Sequence, residues 1–395
     1  MGDVFKLLAG RVYLLLAGVA TSAMTARALG PDGRGQYALI IQAGTVITSL
    51  FGGLSIPVAR RASMQDKSRS GLADATFLAA ILGSTGSLGL LAYLLAARIP
   101  APGLIYSLSV LLALFNVCWS ATSLGAGRAN DLIAQSATTA TTTAIVTLML
   151  VVWGHWGVAG ALDAVLAGQA IGFAVLMPRF WSSAPFFWKG ITLRTILEMA
   201  KEGLWASSSN VVGALNTRLD YWLIATFLPM REVGIYSIAV AGAGFLTVIT
   251  GAVQNALYGR LGSAPRPQAI QLLKGSIAYF AGAMALAGIA AAALMGPVIR
   301  LLYGIQFLPA IPVARVLILQ VIAQGITSLL MAYYFNHAGK ASRVTFAGGL
   351  QMTAMLACAW ILIPRLHLVG AATAMLVAQC VAAASMTYGI RTGAA

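Results

Sequence analysis

Two ionisable residues, Arg218 and Asp220, lie two positions apart where NTRLD runs into the apolar stretch YWLIATF, and Asn216 precedes Asp220 by one helical turn. A guanidinium held in hydrocarbon costs about 2.5–3.5 kcal/mol on insertion scales, so a membrane segment that keeps one has something for it to contact. Its planar fork of donors suits phosphate or another oxyanion. Asp220 either balances that charge or takes a coupling proton or sodium ion. Two residues apart on a helix, the pair point in different directions and need not meet. A structural ion pair with another helix is the competing reading for both. Arg315 is the second cation, close enough to the start of its helix for its head to reach the interface. Asp163, nearer the outer boundary, is a weaker acid of the same kind.

Amides and hydroxyls recur around these charges at helical spacing. Ser209, Gly213, Asn216 and Asp220 form one stripe, and Asn116, Ser120, Ser123 and Gly127 another. Gln135, Thr138, Thr139 and Thr142 follow, then Gln320, Gln324 and Thr327. Gln42, Thr45 and Ser49 answer Thr247, Gly251 and Gln254. Any one such serine, threonine or glycine is explained by helix packing, as are Gly83, Gly86 and Gly89. The collection implies a hydrated interior, with Arg218, Asp220, Asn216, Arg315, Asn116, Gln42 and Gln324 as its candidate binding residues and Asp220 as the cation-coupling one.

Covalent chemistry has no carrier here. The sequence holds no GxSxG, Walker loop or dinucleotide fingerprint. His155, His337 and His367 are isolated in short loops, and Cys118, Cys358 and Cys380 are scattered through apolar segments, so neither a metal nor a cofactor is expected. Binding and movement remain.

The elements that position these residues are spans. With 59% hydrophobic and 9% charged residues in 395, the chain is a polytopic membrane protein. Apolar windows long enough to cross a bilayer number twelve: 7–28, 36–57, 76–97, 104–125, 132–153, 157–177, 203–227, 234–257, 273–295, 308–331, 343–363 and 367–389. Seventeen of the lysines and arginines fall in the connections on one side and six on the other, so both termini are expected in the cytoplasm, and the net charge of +15 reports topology rather than nucleic acid. The first span, behind Lys6 and Arg11, imitates a secretory leader, but its direct run into the next turn argues for retention.

The chain also repeats. LGPDGRGQY at Leu29 returns as LPMREVGIY at Leu228, an offset of 199 that sets Gly35 over Gly234, Tyr37 over Tyr236, Thr48 over Thr247, Gly52 over Gly251 and Arg61 over Arg260. GAGRAND at Gly125 resembles HAGKASR at His337 with the offset grown to 212. Six spans separate the copies, so an all-α membrane fold of two six-helix bundles is expected, related by a pseudo-two-fold axis along the membrane normal. Residues 1–177 form the first bundle and 203–395 the second. Between them, 178–202 carries Leu193, Ile196, Leu197 and Ala200 as the stripe of an interfacial helix, behind the anchors Trp181, Phe186, Phe187 and Trp188. Tyr37 and Tyr236 read as structural interfacial aromatics.

ARALGPDGRGQYAL, RRASMQDKSR, GAGRAND and RLDYWLIATFLPMREVGIYSIA together resemble polysaccharide-unit flippases, the Wzx-like group of the multidrug/oligosaccharidyl-lipid/polysaccharide exporter (MOP) superfamily. The resemblance implies a MATE-like alternating-access carrier, not an enzyme, in the bacterial cytoplasmic membrane. Its cargo would be an undecaprenyl-diphosphate-linked oligosaccharide, its other partners membrane lipids and a coupling proton or sodium ion. A cation-coupled multidrug exporter is the alternative within the superfamily. A membrane glycosyltransferase or polymerase is the alternative from another class, although no sizeable outward loop exists to carry its catalytic residues.

Overall fold

The computed structural model describes residues 2–63, 70–98, 101–125, 128–183, 193–263 and 265–391. These are almost entirely helical, with no strand among them, as backbone polar groups in a bilayer require. In chain order the helices are α1 (Gly2–Phe51), α2 (Ser55–Ser63), α3 (Ser70–Ala96), α4 (Ala101–Leu104), α5 (Ser109–Gly125), α6 (Ala129–Thr147), α7 (Gly157–Ser183), α8 (Leu193–Phe227), α9 (Met230–Gly244), α10 (Thr247–Ser263), α11 (Arg266–Leu302), α12 (Ala310–Tyr333) and α13 (Ala341–Arg391). They divide into two compact units, Met1–Ala214 and Leu215–Ala395.

Two of these helices are hairpins of two spans each. In α1 the backbone leaves helical geometry at Gly30, with φ 66° and ψ −179°. That is a left-handed φ, which glycine adopts without strain. Arg34 then reaches back to Thr25 Oγ1 at 2.5 Å and Ser22 Oγ at 3.1 Å. A straight helix would set Ser22 about 18 Å from Arg34, so the chain reverses there. In α13 the break falls at His367, φ 51°. Gln351 Nε2 donates to Gln379 Oε1 at 2.7 Å across it. Straight helix would hold those two residues about 42 Å apart. His155, in the turn between α6 and α7, has φ 54°. It precedes His367 by the same 212 positions that relate GAGRAND to HAGKASR, so the repeat extends to backbone conformation.

The twelve expected spans thus lie in helical segments: the first and second in α1, the eighth across α9 and α10, and the eleventh and twelfth in α13. Among the described residues, eight helices qualify by length and apolarity as membrane-crossing, two of them the hairpins, and α9 with the start of α10 makes a ninth, bent by 42°. The protein is a multi-pass membrane protein. Helix α8, the seventh span, does not qualify on apolarity, because Lys201, Glu202, Arg218 and Asp220 dilute it.

The start of α8 covers the segment expected as an interfacial helix joining the bundles. It runs unbroken into the seventh span, and Ile196, Met199 and Ala200 pack with Leu54, Val58, Leu114 and Leu176 in the first unit's core. Leu197, on the same apolar stripe by spacing, is 60% exposed. Arg194 and Glu198 pair on the outer face at 3.1 Å. Residues 184–192, with Phe186, Phe187 and Trp188, lie outside the described residues, as do the side chains of Trp181 and Ser209, residues 64–69 of the RRASMQDKSR loop, and residues 126 and 127 of GAGRAND.

The hairpin at His367 gives a first prediction. A Cβ on Gly370 would fall on the carbonyl oxygen of Leu362, a backbone atom that cannot swing aside. Gly370→Ala is expected to cost about 1–3 kcal/mol, the usual penalty of overpacking. Gly89→Ala, with nothing within 4 Å of the new methyl, is the neutral control. Thermal unfolding in detergent should separate the two variants.

Candidate functional site: a polar cavity in the second unit

Most hydroxyls along the spans are satisfied by their own helices. Thr45 donates to Ile41 O at 2.8 Å, Thr138 to Ala134 O at 2.7 Å and Thr327 to Ala323 O at 3.0 Å. Such bonds to the carbonyl four residues back explain single polar residues in a span without a ligand. The carboxamides and charges are what remain, and in the second unit they converge.

A cavity of about 330 Å³ in this unit is lined by Asn216, Arg218 and Asp220 from α8, Tyr236 from α9, Gln320 and Gln324 from α12 and Gln379 from α13. Helix α9 ends beside it. There Leu246 N bonds to Ala243 O at 3.2 Å and Val248 N to Phe245 O at 3.4 Å. These contacts three residues back tighten the chain at the AGAGF sequence and produce the 42° bend. Ala243, Gly244 and Thr247 at this bend complete part of the wall.

Asp220 is 3% exposed and accepts a 2.6 Å hydrogen bond on Oδ2 from the Tyr236 hydroxyl. Met375 Sδ lies 3.4 Å from that hydroxyl, and Tyr221 meets the Tyr236 ring edge to face at 5.4 Å. Asp220 Oδ1 accepts nothing from the described residues. Asn216, 5% exposed, donates through Nδ2 to Gly348 O at 3.0 Å, while its Oδ1 likewise accepts nothing from them. Gln320 Nε2 donates to Gln324 Oε1 at 3.3 Å. Arg218 is half-buried, and no ion pair or hydrogen bond of its side chain occurs among the described residues. It is the one cation in a wall otherwise made of amides, one carboxyl, hydroxyls and apolar groups.

Of the residues expected from the sequence, Arg218, Asp220, Asn216 and Gln324 come together here. Arg315 does not: it is exposed on α12 and takes no part in the lining. The inner face of that helix is set by Val313, Ala314, Leu317 and Gln320, which leaves Arg315 stacked one turn before Leu319, itself 54% exposed. Asn116 and Gln42 belong to the first unit. Asn116 binds Gln169 O at 3.1 Å and accepts from Gln135 Nε2 at 2.7 Å, so both ends of its amide cross-link α5 to α6 and α7. Gln42 is buried, with an Oε1 that accepts nothing from the described residues. Asp163 Oδ1 is equally without a donor among them.

Sequence reasoning missed two residues of this lining. Tyr236, read as an interfacial aromatic, is fully buried and holds Asp220. Gln379 and its partner Gln351 were passed over, although a glutamine in a lipid-spanning segment is itself the signal. In the first unit Arg34 is 9% exposed, with its guanidinium 5.2 Å from the Tyr37 ring centroid. Among the described residues no group of histidine, cysteine, aspartate and glutamate is arranged to hold a metal.

The chain is similar in structure to several solved proteins. An inward-facing multidrug resistance MATE family transporter of the MOP superfamily aligns with TM-score 0.77 at 16% identity, covering 96% of this chain and 94% of that one. The lipid II flippase MurJ, in an inward closed conformation, aligns with TM-score 0.79 at 13% identity, over 98% of this chain and 87% of that one. A MOP superfamily transporter from Pyrococcus furiosus, reported with a binding pocket of reverse polarity, gives 0.65 at 16% identity, over 97% and 92% of the two chains. At these identities the likeness establishes the fold alone. No curated protein matches by sequence. The profile of the polysaccharide biosynthesis protein family matches residues 24–312, nearly three quarters of the sequence, and the chain belongs to that family.

Proposed function

We propose that the protein is an alternating-access flippase that carries a lipid-linked saccharide, an undecaprenyl-diphosphate-linked oligosaccharide unit, from the cytoplasmic to the outer leaflet of a bacterial cytoplasmic membrane. The observation that carries this reading is the second unit's cavity, where one arginine stands among the amides of Asn216, Gln320, Gln324 and Gln379. The guanidinium offers charge-assisted donors to an anionic group and the amides suit a hydroxyl-rich one, a pairing that matches a glycosyl diphosphate better than a cationic or apolar drug. The family assignment and the fold shared with transporters support it. The excess of basic residues in alternate connections supports cytoplasmic termini.

Coupling is assigned to Asp220. A buried carboxyl with one oxygen held by Tyr236 and the other accepting nothing from the described residues can take a proton or sodium ion. Asp220→Asn is expected to abolish stimulation of transport by a proton or sodium gradient while leaving gradient-independent exchange measurable. Equal stimulation in wild type and variant would remove Asp220 from coupling.

The assignment as a whole is tested by reconstituting the protein with a fluorescent lipid-linked saccharide and measuring its accessibility in the outer leaflet. Protein-dependent transfer is expected. Transfer at the same rate in empty vesicles would overturn the assignment, and efflux of cationic drugs with no lipid movement would select the multidrug exporter.

A further inference from the structure

Resting on that assignment, we infer that the cavity of the second unit seats the sugar ring adjoining the diphosphate, and that Arg218 is its only contact with the phosphates. Ionised phosphate oxygens only accept hydrogen bonds, so a diphosphate needs donors all round it. A sugar hydroxyl both donates and accepts. The lining is mixed in the second sense. Asn216 Oδ1 and Asp220 Oδ1 are acceptor oxygens with no donor among the described residues, although their side chains are 5% and 3% exposed. The bond from Gln320 to Gln324 occupies the latter's carbonyl oxygen, which leaves its NH₂ group to donate.

Two such acceptors in a wall with a single cation would repel a diphosphate, but they would take the protons of neighbouring hydroxyls. A buried acceptor left unmade is costly, which favours a ligand that supplies donors. The size agrees: the cavity holds about 330 Å³. That is the lower end of the roughly 300–1,000 Å³ typical of small-molecule sites, room for a sugar ring rather than a whole oligosaccharide.

The internal repeat gives an independent reason to read these side chains as functional. The offset of 199 sets Ala17, Val19 and Thr21 against Asn216, Arg218 and Asp220, with Tyr37 against Tyr236. The first unit therefore makes the same reversal, at Gly30 where the second has Pro229, without an amide or a charge at those three places. The architecture does not require them, and their burial in the second unit calls for a ligand.

The test is direct binding to the purified full-length protein of a short-chain polyprenyl diphosphate, unsubstituted or carrying a single hexose or N-acetylhexosamine. At least one glycosylated probe is expected to bind about tenfold or more tightly than the unsubstituted one, the worth of one or two added hydrogen bonds. Gln324→Leu is expected to erase that advantage, read as the ratio of the two affinities, and Arg218→Gln to weaken all probes alike. Thermal unfolding verifies folding, and Gln320→Leu carries the same expectation should Gln324→Leu fail to fold. Equal affinity for sugar-bearing and sugar-free probes, the result expected of a lining that holds only a cation, overturns the subsite and leaves the flippase assignment standing. Failure of every probe to bind overturns both.

Discussion

Arg218→Gln is expected to lower the rate of saccharide-lipid translocation by about 10- to 100-fold, with the protein still folded. A charge-assisted hydrogen bond is worth about 1.5–3 kcal/mol, and each step of roughly 1.4 kcal/mol is a factor of ten. The fold should tolerate the change, because the half-buried guanidinium makes no ion pair or hydrogen bond among the described residues and glutamine keeps much of the stem. Arg218→Lys should recover part of the rate: it restores the charge but replaces the planar fork with a point donor. Initial rates in proteoliposomes, beside melting temperatures in detergent, decide the matter. A folded Arg218→Gln protein with wild-type rate would remove Arg218 from the site.

The second large effect concerns the buried pair. Tyr236→Phe takes the side-chain donor from Asp220 Oδ2 and leaves a carboxyl that is 3% exposed without that partner. Leaving such a group unmade costs about 1–3 kcal/mol, more if it is charged, so the variant should melt several degrees lower. Asp220→Leu alone should also destabilise, by stranding the Tyr236 hydroxyl among Tyr221 and Met375. Together, Asp220→Leu and Tyr236→Phe should restore most of the stability, because replacing both partners with apolar groups of similar shape is close to neutral. The double variant should nonetheless lose gradient-stimulated transport. A stable double variant that keeps it would mean that the pair serves only to hold α8 to α9.

The logic of this pair also shows where reading along the chain stops being sufficient. Asp220 was identifiable as costly in lipid from its own neighbourhood in sequence. Nothing local indicated that Tyr236, beyond a turn and on the next helix, would supply its donor. The repeat pointed the other way, since Tyr37 occupies the matching place in the first unit, where Thr21 stands opposite Asp220. Arg315 lies outside this cavity for a related reason. A charge in an apolar window has a definite cost, but which face of α12 turns inward depends on what α12 packs against.

Sequence alone was enough for the span positions, the two-fold repetition and the polar nature of the seventh span. These follow from the length of apolar windows and the cost of polar groups in hydrocarbon, both properties of short stretches of chain. It also picked out Asn216, Arg218, Asp220 and Gln324, because a one-turn spacing places side chains on a common face wherever the helix lies. The tertiary structure alone decided that α1 and α13 reverse at Gly30 and His367, that α8 enters the first unit's core, and that Tyr236 and Gln379 join the cavity while Arg315 does not. Those outcomes depend on helix rotation and on segments far apart in the chain meeting in one wall, as Asn216 and Gln379 do. No local periodicity encodes either.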